Sequence, residues 1–270
     1  MDRMRKDPAW ERLDDIQKEA DSYVRNANIT TLPVDPGFWC RAEDDIYAKA
    51  LDLKGECDGL LVFRDGTFHL FYQPDQYRGR FNFAHEVAHF LLDEHHQAIR
   101  DGRGEHKSQT GFITDIQMER EADCFASALL MPESVFWKLC PDPNFRDIGR
   151  TAAAFDVSLT SAAIRTVQYT PLRAALIVST AGKVAWGRVS EGLARSGIYD
   201  VKKGKSLPPR SKSCDIWSKP SCIPSGIVEG AESCASEWFA VYSHPLRLWE
   251  EVFCIPRFGT VLTLLTAYDE

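Results

Sequence analysis

Apolar residues at Trp10, Leu13, Ile16, Ala20, Tyr23, Val24 and Ala27 recur every three or four positions, which predicts an amphipathic helix over 8–29 with one buried stripe. The run Thr31-Leu32-Pro33-Val34-Asp35-Pro36 ends it, because each proline disfavours helix in the residue before it. A second helix is predicted over 38–53, stopping before Gly55. The pattern then changes. Residues 58–64 and 67–72 are apolar runs flanking Asp65-Gly66, a pair suited to a tight two-residue turn, and they predict a hairpin. Helical spacing returns at 82–93, with Asn82 as the expected N-cap. Residues 95–113 are polar and contain glycine, and they read as a loop. A helix over 115–130 opens on Thr114 and Gln117, the spacing of a capping box, and Pro132 closes it. Shorter helices follow at 132–139 and 144–169.

From Pro171 the character shifts again. Residues 174–179 and 184–189 flank Ala181-Gly182 and read as another hairpin. Residues 201–230 are rich in Pro, Ser, Gly and Lys and read as irregular, while 237–243 and 260–268 are strand candidates. No internal repeat is visible. The expected fold class is α+β in three parts: a mainly helical domain with a small antiparallel sheet over 1–140, a helix-turn-helix-like segment over 141–170, and a C-terminal α+β domain over 171–270.

Composition narrows the function classes. The chain has 270 residues, 44% hydrophobic and 26% charged, an ordinary balance for a globular protein with a substantial core. A net charge of −7 offers no general attraction to nucleic acid or to an anionic membrane. No apolar run approaches the length of a membrane span, and the first ten residues carry no apolar stretch of signal-peptide length, so a cytoplasmic location is expected. The eight cysteines are scattered without a C-x-x-C pair and are expected to be free thiols. Cys214 to Cys234 is the one stretch dense enough for a disulfide or a second metal.

The chemistry concentrates in His85-Glu86-Val87-Ala88-His89. On a helix, residues four apart share a face, so both imidazoles can meet one zinc ion. Glu86 sits one position round, where a carboxylate can serve as general base towards a water of lowered pKa. Phe81, Phe83, Val87, Phe90, Leu91 and Leu92 make this helix strongly apolar, and burying two histidines and a glutamate in it unpaired would be costly. A catalytic zinc needs a third protein ligand and an open position. Two candidates compete. His95 extends the motif, but the glycine turn that usually accompanies such spacing is replaced by Leu92, and its plain alternative is a solvated helix-end residue. Glu119 shares a helix face with Asp123, and the small Ala122 and Ala126 would let that helix approach closely. Asp123 could then accept a hydrogen bond from a ligand imidazole. Glu121 reads as a solvent-facing residue. Tyr72, Tyr77, Arg78 and His106 are candidates for stabilising an oxyanion, each with ordinary packing as its alternative.

Residues 80–92 (Arg-Phe-Asn-Phe-Ala-His-Glu-Val-Ala-His-Phe-Leu-Leu), followed by Glu119-Arg-Glu-Ala-Asp123 and the run to Pro132, resemble the ImmA/IrrE family of metallopeptidases. Leu32-Pro-Val and the hairpin beginning at Asp58-Gly59 resemble it too, so the likeness covers 30–170. Asn82-Phe83 departs from the usual Thr-Leu. The resemblance implies a thermolysin-like helix pair beside a small sheet whose edge would hold a substrate strand. It implies His85, His89 and Glu119 as zinc ligands and Glu86 as the catalytic residue. It also implies a cytosolic regulator that cleaves helix-turn-helix repressors in a DNA-damage or mobile-element response, with no cofactor beyond Zn2+. The alternative from another class is a non-catalytic regulator that binds DNA or a repressor and keeps a structural zinc. Ile148–Val167 resembles a helix-turn-helix, but its second helix offers only Arg165 as a base, so direct DNA binding is the weaker reading. A fourth protein ligand would favour the alternative, and an open position beside Glu86 the enzyme.

Overall fold

A computed structural model describes residues 8–75, 78–102, 104–108, 117–199, 201, 203–239 and 246–268. It is α+β and divides into two compact units, 1–137 with 154–157 and 138–153 with 158–270.

In the first unit, α1 (Pro8–Asn26) buries Ile16, Ala20 and Val24, the predicted stripe. The helix predicted over 38–53 is corrected. Only α2 (Gly37–Ala42) is helical, and β1 (Ile46–Ala50) is an edge strand with Ile46 alone buried. So exposed a strand shows little alternation in sequence. Backbone bonds at both ends hold it, Phe68 N–H to Asp45 C=O at 2.7 Å and Leu51 N–H to Tyr72 C=O at 3.0 Å. The hairpin follows as expected, β2 (Gly59–Arg64) and β3 (Thr67–Tyr72), with Asp65 and Gly66 at φ 51° and 82°. Positive φ at both central residues matches the right-handed twist of the strands.

Next comes α3 (Gly79–Leu91), which starts earlier than predicted. Asn82 is not its cap. It is buried inside the helix, and its amide donates to Gln73 C=O at 3.4 Å. The loop expected over 95–113 is also corrected, because α4 (Asp93–Asp101) and β4 (Glu105–Ser108) occupy it. Ile99 gives α4 a buried anchor despite its polar surface. Thr114 lies outside the described residues. α5 (Gln117–Leu130) and α6 (Glu133–Leu139) complete the set. The sheet runs β1-β3-β2-β4 and is mixed rather than antiparallel throughout, because β1 lies parallel to β3. One core joins Leu61, Phe68 and Leu70 of the sheet to Val87 and Phe90 of α3, Phe125 and Leu129 of α5, and the stripe of α1.

α7 (Phe145–Phe155), most of which belongs to the second unit, is followed by Asp156 at φ 52° and then by α8 (Leu159–Tyr169) of the second unit. The Ser158 side chain caps α8 by accepting from Ser161 N–H at 3.0 Å. Then come β5 (Ala174–Thr180), β6 (Lys183–Val189), α9 (Glu191–Arg195), α10 (Lys212–Trp217), β7 (Gly226–Cys234), α11 (Ala235–Trp238), β8 (Arg247–Ile255) and β9 (Thr260–Ala267). They form an antiparallel sheet ordered β6-β5-β9-β8-β7. The strand expected over 237–243 is instead helical up to Trp238, and 240–245 lie outside the described residues. Fully buried Glu250 explains order within the stretch read as irregular: it accepts from the Lys212 and Ser213 backbone N–H groups, each at 3.0 Å, and so caps α10. All eight cysteines are free thiols. No helix among the described residues is long and apolar enough to cross a membrane.

Candidate metal centre

Two helices bring the chemistry together. His85 and His89 stand one turn apart on α3 and are both fully buried. α5 lies against α3, and fully buried Ala84, Ala88, Ala122 and Ala126 leave room for the close approach. It thereby presents Glu119 to both imidazoles. The His85 and His89 Nε2 atoms are 3.1 Å apart, and the Glu119 oxygens lie 3.4 Å from the first and 3.3 Å from the second. One donor atom from each of the three residues lies within 4.8 Å of the others. A tetrahedral ion with bonds of about 2.05 Å separates its donors by about 3.3 Å. The spacing therefore fits a small divalent ion.

The donor chemistry fits as well. Two imidazole nitrogens face each other at 3.1 Å, which requires a proton or a cation between them. Burial would lower the pKa of His85, but the hydrogen bond to Asp123 and the nearby Glu119 carboxylate reverse this and push it up to about 10. Burial depresses His89 well below the usual histidine value. Burial would also raise Glu119, yet His106, His85 and His89 hold it well below the carboxylate range. With protein groups alone, a buried proton on His85 fills the place that the donor geometry suits to a metal. Glu119 Oε2 and His89 Nδ1 have no hydrogen-bond partner among the described residues. Asp123 Oδ1 accepts from His85 Nδ1 at 2.8 Å, which turns Nε2 towards the cluster.

Glu86 is fully buried, and neither carboxylate oxygen has a hydrogen-bond partner among the described residues. Burial pushes its carboxyl up to about 7, against the pull of His85, the nearby Ser108 hydroxyl and His106. Its place is made by Gly59. A Cβ added there would stand 2.6 Å from Glu86 Cγ and closer still to its Cδ and Oε1. The sequence marks this only as a glycine opening a strand.

The other candidates separate clearly. His95 is not in the cluster and is not solvated. It is 2% exposed, and its Nε2 donates to Glu121 Oε2 at 3.1 Å. Glu121 is likewise no solvent-facing residue: it is 3% exposed and also bonded to Arg12 and Gln117. His106, on β4, is the oxyanion candidate that reaches the site. Its Nε2 lies 2.8 Å from Glu119 Oε1, and its ring centroid is 4.3 Å from that of His89. Tyr72 instead stacks on Phe83 at 4.4 Å. Arg78 stands at the N-terminal end of α3, and Tyr77 lies outside the described residues.

No curated protein sequence matches the chain. Among solved structures, a Mycobacterium tuberculosis transcriptional regulator is similar over 94% of this chain and 88% of its own, with a TM-score of 0.59 and 14% identity, a likeness of fold. Residues 50–166 match the sequence profile of the peptidase M78 family, the IrrE N-terminal-like domain, and the match spans His85, His89 and Glu119. The chain thus carries an IrrE N-terminal-like domain of the M78 peptidase family over residues 50–166.

Proposed function

We propose that this chain is a zinc-dependent endopeptidase that cleaves a regulatory protein, with a helix-turn-helix repressor as the favoured substrate. The observation that carries the reading is the buried His85, His89 and Glu119 triad with the partnerless carboxylate of Glu86 beside it. In this reading the triad holds Zn2+. The ion supplies Lewis acidity and a water of lowered pKa. Glu86, buried beside the triad with both carboxylate oxygens unpartnered among the described residues, would take and return protons as general base and acid. Asp123 fixes the tautomer of His85. Among the described residues β4 pairs only with β2, so its outer edge can bind an extended substrate strand in the thermolysin-like manner. The division into a peptidase part over 1–140, a helix-turn-helix-like segment over 141–170 and a C-terminal domain over 171–270 is part of the same proposal, as is a cytoplasmic location.

The substrate class rests on the ImmA/IrrE resemblance. Direct DNA binding by residues 148–167 is disfavoured: Arg165 is 3% exposed and lies over the Tyr169 ring at 4.5 Å, away from phosphate. The second reading, a non-catalytic zinc-bearing regulator, needs a fourth protein donor to close the site. His106 is the nearest candidate: its Nε2 is 2.8 Å from Glu119 Oε1, but it lies outside the donor group of His85, His89 and Glu119. Coexpression with the repressor encoded nearest to its gene tests both readings. Glu86→Gln should abolish cleavage while zinc stays bound. Cleavage persisting in that variant refutes the role of Glu86. Loss of zinc in His106→Ala, with no cleavage by the unaltered protein, would favour the closed site.

A further inference from the structure

A histidine that binds a metal through one ring nitrogen carries its proton on the other, and that N–H is almost always given to an acceptor. His85 meets the requirement through Asp123. His89 does not. Its Nε2 faces the cluster, and its Nδ1 is buried without a hydrogen-bond partner among the described residues.

The ring of His95 lies beside it, with centroids 5.0 Å apart. His95 has the complementary deficit, because its own Nδ1 is also buried and partnerless. Its Nε2 is committed to Glu121 Oε2 at 3.1 Å. Glu121 is anchored in turn. It accepts from Gln117 Nε2 at 2.6 Å and from the Arg12 guanidinium at 3.2 Å. Arg12 and Gln117 both donate to the Glu121 carboxylate, which leaves it an acceptor towards His95. A proton on the buried Nδ1 of His95 would find no acceptor among the described residues, so the ring carries its proton at Nε2, against Glu121. A neutral imidazole that donates its one proton at Nε2 must present a bare lone pair at Nδ1. The tautomer imposed by Glu121 therefore offers an acceptor beside the donor that His89 must carry.

We infer that Arg12, Glu121 and His95 form a positioning relay that fixes the Nδ1–H tautomer of His89. The two rings lie with centroids 5.0 Å apart, and the relay requires that the His89 Nδ1–H be given to His95 Nδ1, directly or through one water. The relay gathers α1, α4 and α5 behind α3, so each metal-facing histidine has a carboxylate behind it: Asp123 directly for His85, and Glu121 through His95 for His89. It rests on the reading of His89 as a metal ligand, but not on cleavage of any substrate.

The test uses the full chain loaded with zinc and labelled with 15N at histidine. Two-bond 1H–15N correlations report the protonated nitrogen of each ring. The expected result is His95 protonated at Nε2 and bare at Nδ1, with His89 protonated at Nδ1. A proton on His95 Nδ1 overturns the relay. Chelator competition supplies the second readout. Glu121→Gln can donate to His95 Nε2 and reverse its tautomer, so zinc affinity should fall by about 10- to 100-fold. His95→Leu should lose a similar factor, whereas His95→Asn, with an amide oxygen near the old Nδ1 position, should retain most of the affinity. Equal zinc binding by the Leu and Asn variants, or wild-type binding by Glu121→Gln, overturns the inference. Should the variants fail to fold, the wild-type spectrum decides. If the unaltered chain binds no zinc, relay and metal site fall together. Zinc bound with the expected tautomers but no proteolysis removes only the peptidase reading.

Discussion

Replacing Gly59 with alanine should silence the proposed enzyme without emptying its metal site. The backbone at Gly59 does not have the positive φ that would demand glycine, so only space opposes a side chain. The added Cβ would stand 2.6 Å from Glu86 Cγ, with Cδ and Oε1 nearer still. Carbon atoms rest at about 3.5–4.0 Å, so something must yield by roughly 1 Å. The strand is held on both sides, by β3 and by β4, and α3 is packed against β2 and β3. The carboxylate of Glu86 is therefore the part that swings away. A misplacement of about 1 Å in a catalytic group costs on the order of 100-fold in rate. Overpacking of this kind costs about 1–3 kcal/mol of stability. The three atoms nearest the added Cβ all belong to Glu86, so zinc content should stay at the wild-type stoichiometry. The assay is cleavage of the coexpressed repressor, with zinc measured on the purified protein by atomic emission. Adding Glu86→Asp shortens the crowded side chain by one methylene. The double variant should recover stability but not activity, a coupling that separates crowding from general damage. Wild-type cleavage by zinc-loaded Gly59→Ala would refute both the cradle and the placement of Glu86 as base.

Other consequences can be checked independently. Asp123→Asn removes the carboxylate bonded to His85 and should weaken zinc binding by about 10- to 100-fold in chelator competition. Glu119→Ala should abolish stoichiometric zinc, whereas unchanged zinc in that variant would restore His95 as a rival ligand. Protein freed of metal by chelation should show the titration of His85, whose pKa rises from 6.5 to about 10 because Asp123 and Glu119 outweigh burial. A raised histidine pKa stabilises the fold fully below its unfolded value and ceases to as pH climbs through the folded one. The chelated protein should therefore lose stability between pH 6.5 and about 10 more steeply than the zinc-loaded protein, as read by denaturant titration. Parallel curves would contradict this. Phe125→Ala should cost about 3–5 kcal/mol, because its fully buried ring packs edge-on against Tyr23 at 5.7 Å.

Elements with a strong period were legible in the chain. The α1 stripe, both hairpins with their Asp-Gly and Ala-Gly turns, and the apolar helix carrying the histidines all follow from local spacing. Misread elements share a different cause, in that tertiary contacts rather than local pattern hold them. β1 buries one residue and exists because β3 offers it hydrogen bonds, so its sequence reads as the tail of a helix. The stretch 95–108 looks like a polar loop because the partners of His95 and His106 come from α5, and Arg12 of α1 bonds Glu94 and Glu121. α10 starts where it does because Glu250, thirty-eight positions from Lys212, caps it across the unit.

The same division runs through the site. His85, Glu86 and His89 could be read together because one helical turn makes them neighbours, and Glu119 and Asp123 because another does. What spacing could not reveal is which charges lose their water. Glu121 and His95 sit in runs that are ordinarily solvated, Glu-Arg-Glu and Asp-Glu-His-His, yet both are buried because Arg12 arrives from a helix more than eighty residues away in sequence. Burial converts them from surface charges into groups that must be hydrogen-bonded with a defined tautomer. Gly59 is the complementary case, a residue whose contribution is an absent side chain, visible only once Glu86 is seen filling the space. A two-turn motif thus names the atoms that can meet a metal. The chemistry of those atoms is set by residues that the motif does not contain.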